Sequence, residues 1–192
     1  MTSSIRLAVI LLAMIALLAL ASLSTGPTGF DPAIWQAAMG RTDPAARIIL
    51  TELRLPRTLA ALLVGFALGL SGAALQGLTR NPLAEPGVLG VSACATLGAT
   101  LMLYFGIAAA SPLGVAGGAI AGALLATAVL AAFAHRLTGV ATLILVGVGL
   151  SSFAGALMAL LLNFAPNPFS LSDLVNWSLG SVANRSLHDL AY

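Results

Sequence analysis

The chain has 192 residues, 59% of them hydrophobic and 7% charged, with a net charge of +2 and a mean hydropathy of +1.04. Soluble domains carry roughly 25% charged residues, so a water-soluble globule is excluded, and so slight a charge excess offers no electrostatic footprint for nucleic acid. All eight basic residues are arginine, and the single cysteine, Cys94, rules out a disulfide framework within the chain.

Charge-free intervals set the number of membrane crossings. Leu7 to Phe30 is 24 residues without a charge, Thr58 to Thr79 is 22, Pro86 to Ala134 is 49 and Leu137 to Ser172 is 36. One crossing takes ~20 apolar residues, so the third interval holds two, with Gly106 and Ser111-Pro112 marking the turn between them. Lipid leaves no water for unpaired backbone groups, and every interval exceeds the length of a barrel strand. The expectation is an all-α, polytopic membrane helix bundle of about five transmembrane helices, 6–23, 57–79, 88–105, 113–134 and 141–164. Ala19-Leu20-Ala21 imitates a signal-peptide cleavage site, but the run is long for a signal h-region and four more spans follow.

Between the first two spans, Ser24–Glu52 reads as organised rather than floppy. Asp31 and Pro32 would cap and start a short interfacial helix ending at Met39, with Trp35 at headgroup level. Beyond the fifth span, Pro166 and Pro168 stop the helix, and 170–181 offers a second short helix anchored by Trp177. Five crossings put Arg6, Arg80 and Arg136 on one side and Arg41, Arg47, Arg54, Arg57 and Arg185 on the other. The positive-inside rule alone would place the N-terminus outside. The arginine-rich side also carries Asp31, Asp43, Glu52, Asp173 and Asp189, the mixture expected of a docking surface, so charge leaves the orientation open.

Inside the spans, small residues recur at helix-contact spacing: Gly65 and Gly69, with Gly72 nearby, Gly118 and Gly122, and Gly147 with Gly149. The bland reading is close helix packing, and the sharper one is helices that slide or tilt on one another. No carboxylate, lysine or histidine lies mid-span, which argues against a proton relay or voltage sensor and fits a conduit powered elsewhere. Gln76, Ser92, Ser151 and Ser152 are candidates for lining a path or for bonding neighbouring helices. Gly69-Leu70-Ser71-Gly72 matches a short intramembrane-protease pattern, but a serine nucleophile needs a base within reach, and His135 and His188 lie at other depths. Neither metal-ligand spacing nor a phosphate-binding loop is present, so no cofactor or metal is expected and the chain would not hydrolyse ATP itself. Arg54 and Arg57, three apart at a span mouth with Pro56 between them, serve equally as interfacial anchors or as paired guanidinium forks for a partner's carboxylates.

Taken together, Arg54-Leu55-Pro56-Arg57, then Leu70-Ser71-Gly72-Ala73-Ala74-Leu75-Gln76, then Asn81-Pro82-Leu83-Ala84-Glu85-Pro86-Gly87 running on to Ser92, resemble the FecCD-type permeases. These are the membrane subunits of ABC importers for ferric siderophores, haem and cobalamin. Leu143 to Ser151 and Val175 to Ser181 resemble the family's fifth span and the short helix after it. The resemblance implies a bacterial inner-membrane transporter subunit, not an enzyme, with a cytoplasmic N-terminus, periplasmic 24–56 and a periplasmic short helix at 170–181. Arg54 and Arg57 would then receive acidic knobs of a periplasmic substrate-binding protein. Thr138 and Thr142 would lie at the cytoplasmic constriction, and the fifth span and following helix would gate a path at the axis of a permease dimer, homomeric or heteromeric. The family has ten spans in two halves of opposite topology, so the 192 residues correspond to the N-terminal half, as a truncated sequence or half of a split permease. The surface that meets the ATPase subunit would lie beyond them. Cargo is expected to be an iron chelate, siderophore or haem, with cobalamin as the alternative; a serine protease using Ser71 is the alternative of another class.

Overall fold

The computed structural model describes residues 3–26, 29–40, 44–82, 84–107, 113–134, 139–183, 185–188 and 190. Helix α1, Ser3–Ser24, runs into a two-residue antiparallel ladder in which Thr25 pairs with Phe30 and Gly26 with Gly29. A short helix α2, Ala33–Ala38, follows. Next comes a 36-residue helical run, Pro44–Thr79, made of α3 (Pro44–Ile48), one π-helical stretch (Ile49–Arg54) and α4 (Leu55–Thr79). A 3-10 turn, Pro86–Leu89, leads to α5 (Val91–Tyr104), α6 (Gly114–Ala134), α7 (Val140–Asn163) and α8 (Pro168–Leu179).

Ser3–Ser24, Pro44–Thr79, Gly114–Ala134 and Ala141–Asn163 are long and apolar enough to cross a membrane. The expected third crossing is the exception. Instead of one helix over 88–105, α5 starts at Val91, because Gly90 takes a left-handed φ of 75° between it and the 3-10 turn. Its 14 residues rise ~21 Å, short of a ~30 Å hydrocarbon core.

The turn after α4 closes with a left-handed residue that is not glycine. Arg80 sits at φ 50°, and the Asn81 N–H reaches back to the Gln76 carbonyl at 3.2 Å, the six-to-one bond of a Schellman cap. The Asn81 carbonyl then accepts from Ala84 N–H, and Glu85, extended at φ −132°, starts the 3-10 turn with Pro86 at its first position. α8 begins the same economical way: Asn167 Oδ1 accepts from Ser170 N–H at 2.9 Å, with Pro168 following the cap.

The chain divides into two compact units, Met1–Ala67 with Val182–Tyr192, and Leu68–Ser181. In the first, fully buried Ile34 and nearly buried Ala46 form a small core with Ile49 and Leu50 packed against them. In the second, α5 packs on α6, on α7 and on α8, and the 3-10 turn packs on α7. The buried residues there are small: Ala99, Thr100, Ala126 and Ala154, joined by Leu130 and Leu174. Along α1 and the membrane length of α4, large apolar side chains such as Leu12, Leu17, Phe66 and Leu68 are exposed. Lipid rather than protein would solvate them.

Candidate docking clasp and transport path

The last carbonyls of a helix have no partner within it. At the end of α1 every one from Leu20 to Ser24 is taken. Ser24 Oγ donates to Leu20 O at 2.6 Å and Thr25 Oγ1 to Ala21 O at 2.8 Å. Arg57 Nη2 donates to Ser22 O at 3.3 Å, Arg54 Nη1 to Leu23 O at 2.9 Å, and the Asp31 N–H to Ser24 O at 3.0 Å. Two guanidinium groups at a helix C-terminus also lie at the negative end of its macrodipole.

Further side chains brace this clasp. Ser22 Oγ and Thr58 Oγ1 share a hydrogen bond of 2.8 Å, and Trp35 Nε1 donates to Ser24 Oγ at 3.1 Å. Trp35, expected at headgroup level, spends its indole N–H on the clasp, within the same unit. Arg54 Nη2 lies 3.2 Å from Asp31 Oδ2, and the arginine side chain is 7% exposed against 30% for the aspartate. Asp31, expected as a helix cap and as one acid of a mixed-charge surface, is thus the outward member of an ion pair. Gly26 leaves room for it: a Cβ there would stand 2.7 Å from Arg54 Nη2. Arg57 is half-buried with one bond to Ser22 O, while Arg54 is turned inward.

In the second unit the contacts are between backbones. A Cβ on Gly98 of α5 would run into the Gly118 carbonyl of α6, and one on Gly122 into the Cys94 carbonyl. Gly147 of α7 meets the 3-10 turn, 2.6 Å from its own Cβ position to Leu89 Cα, and Gly90 meets the Gly147 carbonyl at the same 2.6 Å. Of the glycines expected to pack helices, Gly118, Gly122 and Gly147 do so. Gly65, Gly69 and Gly149 face open space among the described residues, and a Cβ on Gly72 would meet Pro86 Cδ at 4.0 Å. Gly90 and Gly98 were missed, although Cys94 and Gly98 stand at the four-residue spacing that could have found them.

Several hydroxyls and one amide within these helices bond their own backbone. Ser71 Oγ donates to Leu68 O at 2.9 Å, Thr96 Oγ1 to Ser92 O at 3.0 Å, Thr100 Oγ1 to Thr96 O at 2.7 Å, Ser152 Oγ to Val148 O at 2.9 Å, and Asn163 Nδ2 to Ala159 O at 2.9 Å. This satisfies each donor without water. Tyr104 is different: its Oη donates to Phe164 O at 2.7 Å, tying the end of α5 to the cap of α7.

A cleft of about 360 Å³ is lined by Ser71, Leu75, Leu89, Thr127, Leu130 and Leu143 among others. Gln76, Ser92, Thr142, Ser151 and Ser152 are not in its lining, so the proposed path residues are not gathered there. Gln76, Ser92 and Ser152 are exposed and Thr142 and Ser151 half-buried, while Thr138 lies outside the described residues. Asn81 and Glu85 line a smaller pocket of about 50 Å³ with Thr79, Val88 and Ile144, and Pro82 is exposed beside it. Among the described residues no group of three His, Cys, Asp or Glu could hold a metal. Among the described residues of its own unit Ser71 has no histidine; His135 lies outside the described residues.

Residues 11–192 match the FecCD transport family. The vitamin B12 import system permease protein BtuC of Salmonella paratyphi A (strain ATCC 9150 / SARB42) is 44% identical over 172 residues, covering 88% of this chain and 50% of the relative. That of Salmonella newport (strain SL254) is 43% identical over the same extent. The chain thus spans about half the length of these curated relatives. A solved inward-facing transporter, assigned to the metal-chelate type of ABC transporter, superimposes with a TM-score of 0.80 at 30% identity, over 97% of this chain and 57% of that one. The protease alternative finds no support among these relatives. With its motifs, its all-helical membrane fold and a match over nearly its whole length, the chain belongs to the FecCD transport family.

Proposed function

We propose that the chain supplies the N-terminal half of the membrane conduit in a bacterial inner-membrane ABC importer, with cobalamin as cargo. The carrying observation is 44% identity over 88% of the chain to vitamin B12 import permeases. Expectation from motifs alone leaned to an iron chelate, and the fold neighbour of the metal-chelate type keeps that as the second reading. In this role the chain binds no cofactor, and ATP is hydrolysed in a separate cytoplasmic subunit. A second permease copy completes the path, and lipid surrounds the exposed faces of α1 and α4. No nucleic acid takes part.

The N-terminus is then cytoplasmic and 24–56 periplasmic, which gives the outward excess of arginine a purpose. Arg57, half-buried and bonded once, is the readier receptor for a carboxylate of the substrate-binding protein, and Arg54 lies behind it in the clasp. Transport requires helices to move on one another. The glycine contacts of α5 with α6, and of the 3-10 turn with α7, offer surfaces without interlocking side chains for such tilting. The 360 Å³ cleft is near the lower end of the ~300–1,000 Å³ range of small-ligand pockets and is mostly apolar. The conduit for a corrin is therefore to be sought elsewhere in the dimer, around α7 and α8.

A chimera tests this reading. Residues 11–192 replace the matching half of a Salmonella vitamin B12 permease in a strain lacking its own, and uptake of labelled cyanocobalamin is measured. Restored uptake is expected; a well-inserted chimera that takes up ferric siderophore but no cobalamin would shift the assignment to iron.

A further inference from the structure

A partner's carboxylate approaching the Arg54–Arg57 motif meets a carboxylate already there. Asp31 Oδ2 occupies Arg54 Nη2 at 3.2 Å, and the aspartate, at 30% exposure, covers a guanidinium that is only 7% exposed. Arg54 Nη1 is held separately by Leu23 O at 2.9 Å. A guanidinium grips a carboxylate best with two parallel N–H groups, and the second edge of Arg54 is the one Asp31 holds. Gly26 keeps the slot open, since a Cβ there would push on the same Nη2. Asp31 also gives its backbone N–H to Ser24 O, which fixes its main chain beside Arg54.

From this we infer that Asp31 is an internal competitor for the docked partner: binding at this motif is a carboxylate exchange in which an acidic side chain of the substrate-binding protein displaces Asp31 from Arg54. The inference rests on the docking role proposed above. Asp31 keeps the guanidinium ordered and screened while the site is vacant, and it opposes approach of a second carboxylate by like-charge repulsion. It acts through Arg54 and is therefore a positioning residue. The clasp stays closed by Arg54 Nη1 on Leu23 O and Arg57 on Ser22 O during the exchange.

The test uses the complete transporter assembly in lipid nanodiscs and the periplasmic binding protein of its own system, with docking followed by biolayer interferometry. Asp31→Asn removes the charge and retains an oxygen acceptor for Arg54. It is expected to tighten docking about fivefold, chiefly through a faster association rate, with the gain shrinking as salt is raised. Equal or weaker docking by Asp31→Asn, while Arg57→Glu still weakens it, overturns the exchange and leaves the docking role standing. No effect of Arg57→Glu removes the docking role itself, and the exchange with it. If Asp31→Asn fails to fold, a structure of the unaltered docked assembly decides. A partner carboxylate on Arg54 with Asp31 beyond 4 Å supports the exchange, and an intact Arg54–Asp31 pair overturns it.

Discussion

The two units hold their helices by opposite means. In Met1–Ala67 with Val182–Tyr192, long polar side chains reach across to helix-end carbonyls, as Arg54 does to Leu23 O and Arg57 to Ser22 O. In Leu68–Ser181, the decisive contacts lack side chains, as where Gly98 meets Gly118 and Gly122 meets Cys94. The difference follows the solvent expected around each. A helix end at the membrane surface leaves carbonyls that need donors, and arginine can deliver two or more from one stem while its charge suits the dipole. Within lipid no hydrophobic force draws helices together, so close van der Waals approach does the work, and side-chain donors such as those of Ser71, Thr100 and Ser152 turn back on their own helices.

That contrast can be broken most forcefully in the glycine contact. Gly122→Leu should cost about 3 kcal/mol or more by driving a side chain into the Cys94 backbone, whereas Gly65→Leu, which faces open space, should stay within about 0.5 kcal/mol. Thermal unfolding of the detergent-purified protein compares the two, and equal losses would mean the α5–α6 contact does not discriminate. Arg54→Ala should come next, at about 2 kcal/mol, because Leu23 O and Asp31 lose their donor together. Arg57→Ala, which surrenders one longer bond, should cost about half as much. A reversed order in the same melts would show that the clasp is closed from Arg57 rather than Arg54. The smallest effect should be a gain. Arg80→Gly relieves a left-handed φ of 50° and should add up to about 1 kcal/mol, provided insertion orientation is unchanged by a protease-accessibility assay.

Much of this organisation is legible along the chain. The charge-free runs locate four helices able to cross a membrane to within a few residues, except at the mouth of α4, where the helical run extends back to Pro44. That extension escaped notice because Glu52, Arg47 and a π-helical turn interrupt the apolar pattern before Arg54. The short α5 was hidden for the converse reason: 88–105 is uniformly apolar, and only the left-handed Gly90 cuts it. At the clasp, the sequence marks Arg54 and Arg57 as unusual but is silent on Gly26, Ser22 and Thr58, whose importance depends entirely on what lies opposite them.

Local composition and period determined that this is a helical membrane protein, roughly where four of its helices long enough to cross a membrane fall, and, through its motifs, which family it belongs to. Those are properties of stretches of neighbouring residues, which a one-dimensional reading contains in full. Only the tertiary structure decided that Arg54 is turned inward, that Asp31 stands outside it, and that Gly98 rather than Gly65 makes a helix contact. Leu23 and Asp31 lie 31 and 23 residues before Arg54, so their meeting depends on how α1 and the Pro44–Thr79 helix are brought side by side. The energy of a hydrogen bond or a backbone contact falls off within an ångström or so, a precision that spacing along the chain does not carry.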